Sequence, residues 1–321
     1  MDLRISDDVV LGAEKLIAGH IVAFPTETVY GLGADASNPD AVRRVYEAKN
    51  RPHDHPLIVH VGSVDLVSQF AMNIPDIALS LAEKFWPGPL TLVLQKTDKV
   101  SDTVTGGQDT VAIRIPNHPI ALSLLNKVGR GVVGPSANKF GRLSPTRAQD
   151  VAKEFNEEVS FILNGGPCHV GIESTIIGFE GDAPVVLRPG MITADQVSLA
   201  TGRPVKLAGL DAPRVPGALP AHYAPRTKLM VLPRDELAVF YRDNLKQKKL
   251  GVVMLSPEPI ELMDDNLISA PNDAASYATL LYKTLRSLDL MCLDLILVEA
   301  VPSESEWDGI RDRLTRAARG S

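Results

Sequence analysis

The feature that most constrains this chain is its alternation of short β-branched runs with helical periods. IVAF (21–24), LIVHV (57–61), LTLVL (90–94), TVAIRI (110–115), GVVG (131–134), STIIGF (174–179) and PVVLR (184–188) have the length and composition of buried strands. Between several of them lie stretches with helical spacing, such as DAVRRVYEAKN after Asn38-Pro39, where Asn38 fits an N-cap. That alternation predicts an α/β fold. From FIL (161–163) onward the strand-like runs follow one another with little helix between, which predicts a mixed rather than a strictly parallel sheet. Residues 203–227 hold five prolines and no apolar period, the composition of a linker. Beyond it, KLMVL, LGVVML, NLISA and LDLILVEA alternate with helical segments near 234–248, 273–288 and 305–318, which predicts a small Rossmann-like α/β domain. The expected organisation is a first domain over 1–203, a proline-rich linker over 204–227 and a second domain over 228–321.

Composition narrows the class of function. No apolar run reaches the roughly 18–20 residues of a membrane span, so no membrane partner is expected. The opening MDLRISDDVV carries acids where a signal peptide would carry bases. The two cysteines, Cys168 and Cys292, form no CxxC pair, which argues against a disulfide scaffold or a zinc cluster. A reduced, cytoplasmic protein is expected. The 33 basic and 39 acidic residues give a net charge of −6, and only 5% of residues are aromatic. That balance argues against a chain-wide nucleic-acid surface but not against a local basic cleft.

The chemistry-bearing residues cluster before the linker. Phe24-Pro25-Thr26-Glu27-Thr28-Val29-Tyr30-Gly31-Leu32-Gly33 follows a buried-looking strand, where α/β sheets bind ligands, although taken alone it better fits an ordinary strand-to-loop turn. Lys49 and Arg51 stand two apart before Pro52, and in a proline-fixed loop they can grip a polyphosphate; they also fit simple cations at a helix C-terminus. His53 and His55 follow, an HxH pair with no acid at ligand spacing. Arg114 interrupts an apolar alternating strand, and alternation puts Thr110, Ala112 and Arg114 on one face. Ser136, Asn138 and Ser144 lie in a small, hydroxylated segment suited to close approach by a phosphate, though not a Walker A loop. Glu173-Ser174-Thr175 and Arg188 sit at strand ends and suit substrate contacts. Cys168-His169 makes a poor nucleophile pair, because adjacent side chains on extended backbone point apart.

Taken in order, FPTETVYGLGADA, the K-x-R of KNRP, LIVHV, WPGPLTLVL, the S-x-N of GPSANKFG, and GIESTIIGF with VLRPG resemble the YrdC-like family. The linker and small second domain resemble its two-domain threonylcarbamoyl-AMP synthase form. The likeness spans about residues 8–200 and, in the linker, the HYAP of His222–Pro225. It implies a twisted mixed-sheet domain around a concave cavity. It also implies synthesis of L-threonylcarbamoyladenylate from L-threonine, bicarbonate and ATP with release of pyrophosphate, the product passing to a separate tRNA threonylcarbamoyl transferase. Mg²⁺ with the ATP and a weak contact with tRNA are implied as well. Carried over by position, Lys49 and Arg51 are catalytic. Thr28, His60, Arg114 and Ser174 hold threonine. Arg51, His55, Thr110, Ser136, Asn138, Ser144, Arg188 and Tyr223 contact ATP. His55 departs from the asparagine usual in this pattern. The competing reading is an RNA-binding module that uses the same cationic cavity without turnover.

Overall fold

The computed structural model describes residues 4–209, 212–255 and 266–321. Residues 1–3 of the expected first domain, 210–211 of the expected linker and 256–265 of the expected second domain lie outside the described residues.

Eleven strands form one mixed sheet: β1 (Ile5–Ser6), β2 (Val22–Phe24), β3 (Gly31–Asp35), β4 (Ile58–His60), β5 (Leu90–Gln95), β6 (Thr110–Arg114), β7 (Val132–Val133), β8 (Ile162–Leu163), β9 (Thr175–Glu180), β10 (Ala183–Arg188) and β11 (Lys206–Leu207). Their order is β1-β8-β2-β3-β7-β4-β6-β5-β9-β10-β11. Helices α1 (Val9–Ile17), α2 (Pro39–Lys49), α3 (Asp76–Phe85), α4 (Asp102–Thr105), α5 (Pro119–Val128), α6 (Ala148–Glu154) and α7 (Ala194–Thr201) accompany it. A second, wholly parallel sheet has β12 (Leu229–Leu232), β13 (Leu250–Leu255), β14 (Leu267–Ala270) and β15 (Leu295–Glu299) in the order β12-β15-β13-β14. Helices α8 (Arg234–Asn244), α9 (Ala274–Asp289) and α10 (Asp308–Gly320) flank it. The α/β class, the mixed first sheet and the smaller second sheet are as the hydrophobic pattern predicts.

Two short strands depart from that pattern. GLGAD reads as a loop but pairs with β2 as β3, because the Phe24 ring occupies the space beside Gly31 and Gly33: a Cβ on either would meet it at 3.0–3.1 Å. Lys206–Leu207, within the proline-rich segment, extends the sheet edge as β11 beside β10.

The strand alternation builds the floor of the site. Val59, Val111 and Ile113 enter the main core on one face of the sheet, whereas Ile58 and Ala112 face the other with Ile176, Leu187 and the linker's Val215. β4 and β6 are parallel and in register at His60 and Arg114, so both side chains project from that second face. α2 starts on Pro39, with the Asn38 side chain accepting from the Asp40 and Ala41 amides, and ends on Asn50 at φ 52°. It thereby delivers Lys49 and Arg51 to the same region. The two units share one apolar interface, in which Val29, Leu143 and Ile172 pack with Tyr277, Leu281 and Leu314.

Candidate active site

A cavity of about 40 Å³ opens over this second face. His60, Arg114 and Arg188 line it from the strands of the large sheet, Thr28, Arg51, Ser136 and Ser174 from the loops between its elements, and Pro216, Gly217, His222 and Tyr223 close it from the linker. The sequence-predicted residues that converge are therefore Thr28, Arg51, His60, Arg114, Ser136, Ser174, Arg188 and Tyr223.

Arg114 is 4% exposed yet has a counter-ion. It donates from Nη1 to Thr28 Oγ1 at 2.8 Å and from Nε to the Gly88 carbonyl at 3.2 Å, and Nη2 lies 2.7 Å from the buried carboxylate of Glu27. The expensive charge inside an apolar strand is thus matched by a counter-ion that periodicity does not reveal. His60, one strand over, is pushed down to about 3 by burial and by Arg114, so its ring is neutral at physiological pH.

Arg51 and Arg188 are different. Arg188 donates to the Ser174 carbonyl at 2.8 and 3.2 Å, to Ser174 Oγ at 3.1 Å and to the Pro216 carbonyl at 2.8 Å. Ser174 Oγ is held in turn by Thr91 Oγ1 at 2.7 Å. Arg51 donates to the Pro56 carbonyl at 2.9 Å, and its Nε finds no hydrogen-bond partner. Both guanidinium groups are buried, and burial lowers the affinity of each for its proton, to about 10 for Arg51. Among the described residues neither forms an ion pair with a carboxylate. Two buried cations with only neutral partners make an anion-seeking surface. The Tyr223 hydroxyl and His60 Nδ1 also lack partners among the described residues, so the cavity presents several unspent polar groups.

The remaining predicted residues stand outside the cavity wall. Lys49 is 1% exposed and turns its ammonium into the Ser136 and Asn138 carbonyls, where burial and then Arg51 hold its pKa well below the ordinary lysine value. It shapes the S-x-N loop from behind. Asn138 ties that loop to the Lys139 and Arg142 carbonyls at 2.8 and 2.9 Å. Ser144 donates to Glu173 Oε1. His55 sits edge-on to Phe140 at 5.4 Å, and burial and Arg51 lower its pKa. Thr110 begins β6, roughly 13 Å along the strand from Arg114.

Sequence reasoning misses what the second unit contributes. Arg313, on α10, lies 1% exposed and donates from Nε to Glu173 Oε2 at 2.8 Å. Tyr282, on α9, donates to the same oxygen at 2.9 Å. Burial alone would raise the Glu173 carboxyl; Arg313, Arg188 and the Ser144 hydrogen bond overcome it and hold it down to about 2. The signal was present: Arg313 falls in the apolar stripe Ile310, Leu314, Ala317 of an amphipathic helix.

Fold and site together define a two-unit α/β protein with a closed, cation-lined cavity between a large mixed sheet and a proline-rich linker. Residues 14–190 match the family model Sua5_yciO_yrdC, described as "Telomere recombination", and residues 192–319 match Sua5_C, described as "Threonylcarbamoyl-AMP synthase, C-terminal domain". The chain is 39% identical to the threonylcarbamoyl-AMP synthase of Pyrococcus abyssi over 94% of its own length and 91% of the relative's. It is 38% identical to that of Bacillus subtilis over 99% and 95%. The crystal structure of P. abyssi Sua5 complexed with L-threonine superposes with a TM-score of 0.90 at 37% identity, covering 97% of this chain and 94% of that one. The chain belongs to the threonylcarbamoyl-AMP synthase family, enzymes of nucleotidyltransferase type.

Proposed function

We propose that this chain converts L-threonine, bicarbonate and ATP to L-threonylcarbamoyladenylate and pyrophosphate, which a separate transferase carries to tRNA as threonylcarbamoyladenosine. The observation that carries the reading is the pair of buried, carboxylate-free guanidiniums, Arg51 and Arg188, over one cavity. A polyphosphate is the anion that best suits two such forks, and the Tyr223 hydroxyl is a further donor beside them.

The chemistry divides into two steps. The threonine nitrogen, as the free amine, bonds to the bicarbonate carbon with loss of water, giving a carbamate. A carbamate oxygen then bonds to the α-phosphorus as the bond to the pyrophosphate oxygen breaks. Such a transfer needs positioning and charge neutralisation more than a protein nucleophile. Arg114 and Thr28 form the threonine side with His60 and Ser174, and Arg51 and Arg188 form the phosphate side. Mg²⁺ is assigned to the nucleotide as substrate, because phosphates are its usual ligands alongside at most one or two protein carboxylates.

A cavity of about 40 Å³ holds little more than a water molecule, against the roughly 300–1,000 Å³ of sites for drug-sized ligands. ATP therefore enters when the linker lifts, and Tyr223 returns over it as a lid that keeps water from the labile carbamate. Pyrophosphate release measured with each substrate omitted in turn tests the reading. Release should require threonine and bicarbonate together and fall at least a hundredfold in Arg51→Ala and Arg188→Ala. Release indifferent to threonine, or tRNA affinity with a steep salt dependence and no turnover, would overturn it.

A further inference from the structure

The two carboxylates nearest the cavity are each taken up by an arginine of their own. Glu27 meets Arg114 within the first unit. Glu173, which lines the cavity beside Ser174, meets Arg313 from the second. Arg313 does more than pair. Nη2 donates to the Glu173 carbonyl at 3.2 Å, Nη1 donates to the Pro189 carbonyl at 2.8 Å, and the guanidinium lies over the Tyr223 ring at 5.0 Å. One side chain thus touches the residue before Ser174, the residue after Arg188, and the linker tyrosine.

Burying a guanidinium and a carboxylate together is costly, and a well-packed apolar pair often serves stability as well. The placement therefore needs a reason other than holding two units together. The charges supply one. Arg188 is bonded to Ser174, the neighbour of Glu173, and Glu173 acts on it electrostatically. Without Arg313, the Glu173 carboxylate would have Arg188 as its nearest buried counter-ion, and Arg188 would be withdrawn from any anion in the cavity.

Building on the assignment of ATP as substrate, we propose that Arg313 is a positioning residue of the second unit that sequesters the Glu173 charge and so leaves Arg188 free for the nucleotide phosphates. The second unit acts in the reaction through this contact, without touching substrate itself. Tyr282 supports it by donating to the same carboxylate oxygen. Asp312, bonded to Arg313 Nη1 at 2.7 Å and to Arg316 Nε at 2.9 Å, aims the guanidinium from its own helix.

Calorimetric titration of ATP into the full chain tests the proposal. Arg313→Met should weaken ATP binding about tenfold or more. Removing the released charge as well, in Arg313→Met with Glu173→Gln, should recover most of that loss. Glu173→Gln alone should tighten ATP binding a few-fold. A purely structural Arg313 predicts the reverse: the double variant binds ATP no better than Arg313→Met, and that result overturns the proposal. So does ATP affinity within twofold of wild type in Arg313→Met, or weaker binding in Glu173→Gln. If Arg313→Met does not fold, Arg313→Lys, which keeps the charge, and Glu173→Gln decide between the same alternatives: the lysine variant should lose under fivefold, and a loss above tenfold refutes charge sequestration. Failure of the wild-type chain to bind ATP strikes the assigned reaction instead, and is read separately.

Discussion

Gly217→Ala should release the linker while leaving the rest of the protein folded. Gly217 sits at φ +75°, and a Cβ built there would lie 1.8 Å from the Tyr223 hydroxyl, where real Cβ contacts stay above 3.0 Å. The hydroxyl must therefore retreat by more than an ångström. The ring that carries it is held in place: Tyr223 is 1% exposed, and its ring centroid lies 4.2 Å from that of His222, 5.0 Å from the Arg313 guanidinium and 6.1 Å from the Tyr282 ring. An L-residue in the left-handed region costs ~1–2 kcal/mol, and overpacking adds ~1–3 kcal/mol. The middle of the summed range, about 3.5 kcal/mol, falls on the closed linker alone and shifts the closed-to-open ratio roughly 300-fold. Trypsin reads the shift, since Arg214 and Arg226 lie in the segment that must lift. Cleavage there should accelerate at least tenfold, and pyrophosphate release should fall by a similar factor. Tyr223→Phe in the same background removes the 1.8 Å contact and leaves the ring carbon at 2.9 Å, so it should slow the cleavage again in part. Linker cleavage within twofold of wild type in Gly217→Ala would refute the closed-lid argument.

His60 and His222 are both held neutral, pushed from the ordinary 6.5 down to about 3, in each case chiefly by burial. The unfolded chain takes up their protons first as pH falls, so stability should be full above about pH 6.5 and decline toward pH 3, by up to ~1.4 kcal/mol per pH unit per group. Urea unfolding at pH 7.5 and 5.0 checks this, and His222→Gln should shrink the difference. Lys49→Met removes two hydrogen bonds to carbonyls, each worth ~1.5–3 kcal/mol, but also a buried charge. Unfolding free energy should change by under ~2 kcal/mol while pyrophosphate release falls more than tenfold, because the loop of Ser136 and Asn138 loses its tie.

What the sequence made legible was local. Strand runs with their two-residue alternation put Ile58 and Ala112 on one face and Val59 and Ile113 on the other, as the sheet has them. The Asn38-Pro39 cap likewise starts a helix where its residues say it should. The small GLGAD strand escaped, because its glycines are permitted by a Phe24 ring that no local propensity encodes. The charge logic of the site escaped for a related reason. Arg114 was conspicuous as a cation in an apolar strand, but Glu27 stands 87 residues away in sequence, and Glu173 and Arg313 are separated by 140. Periodicity reports that a charge is buried; it does not report which charge answers it. The net charge of −6 was uninformative for the same reason. A phosphate site is defined by the cations left over after every buried carboxylate has found its partner. Arg51 and Arg188 qualify because Glu27 and Glu173 are already taken, Glu173 by a residue from the other unit. The composition of the site therefore cannot be assessed one unit at a time. A truncation after the linker would leave every phosphate-facing residue in place and yet alter the charge they present.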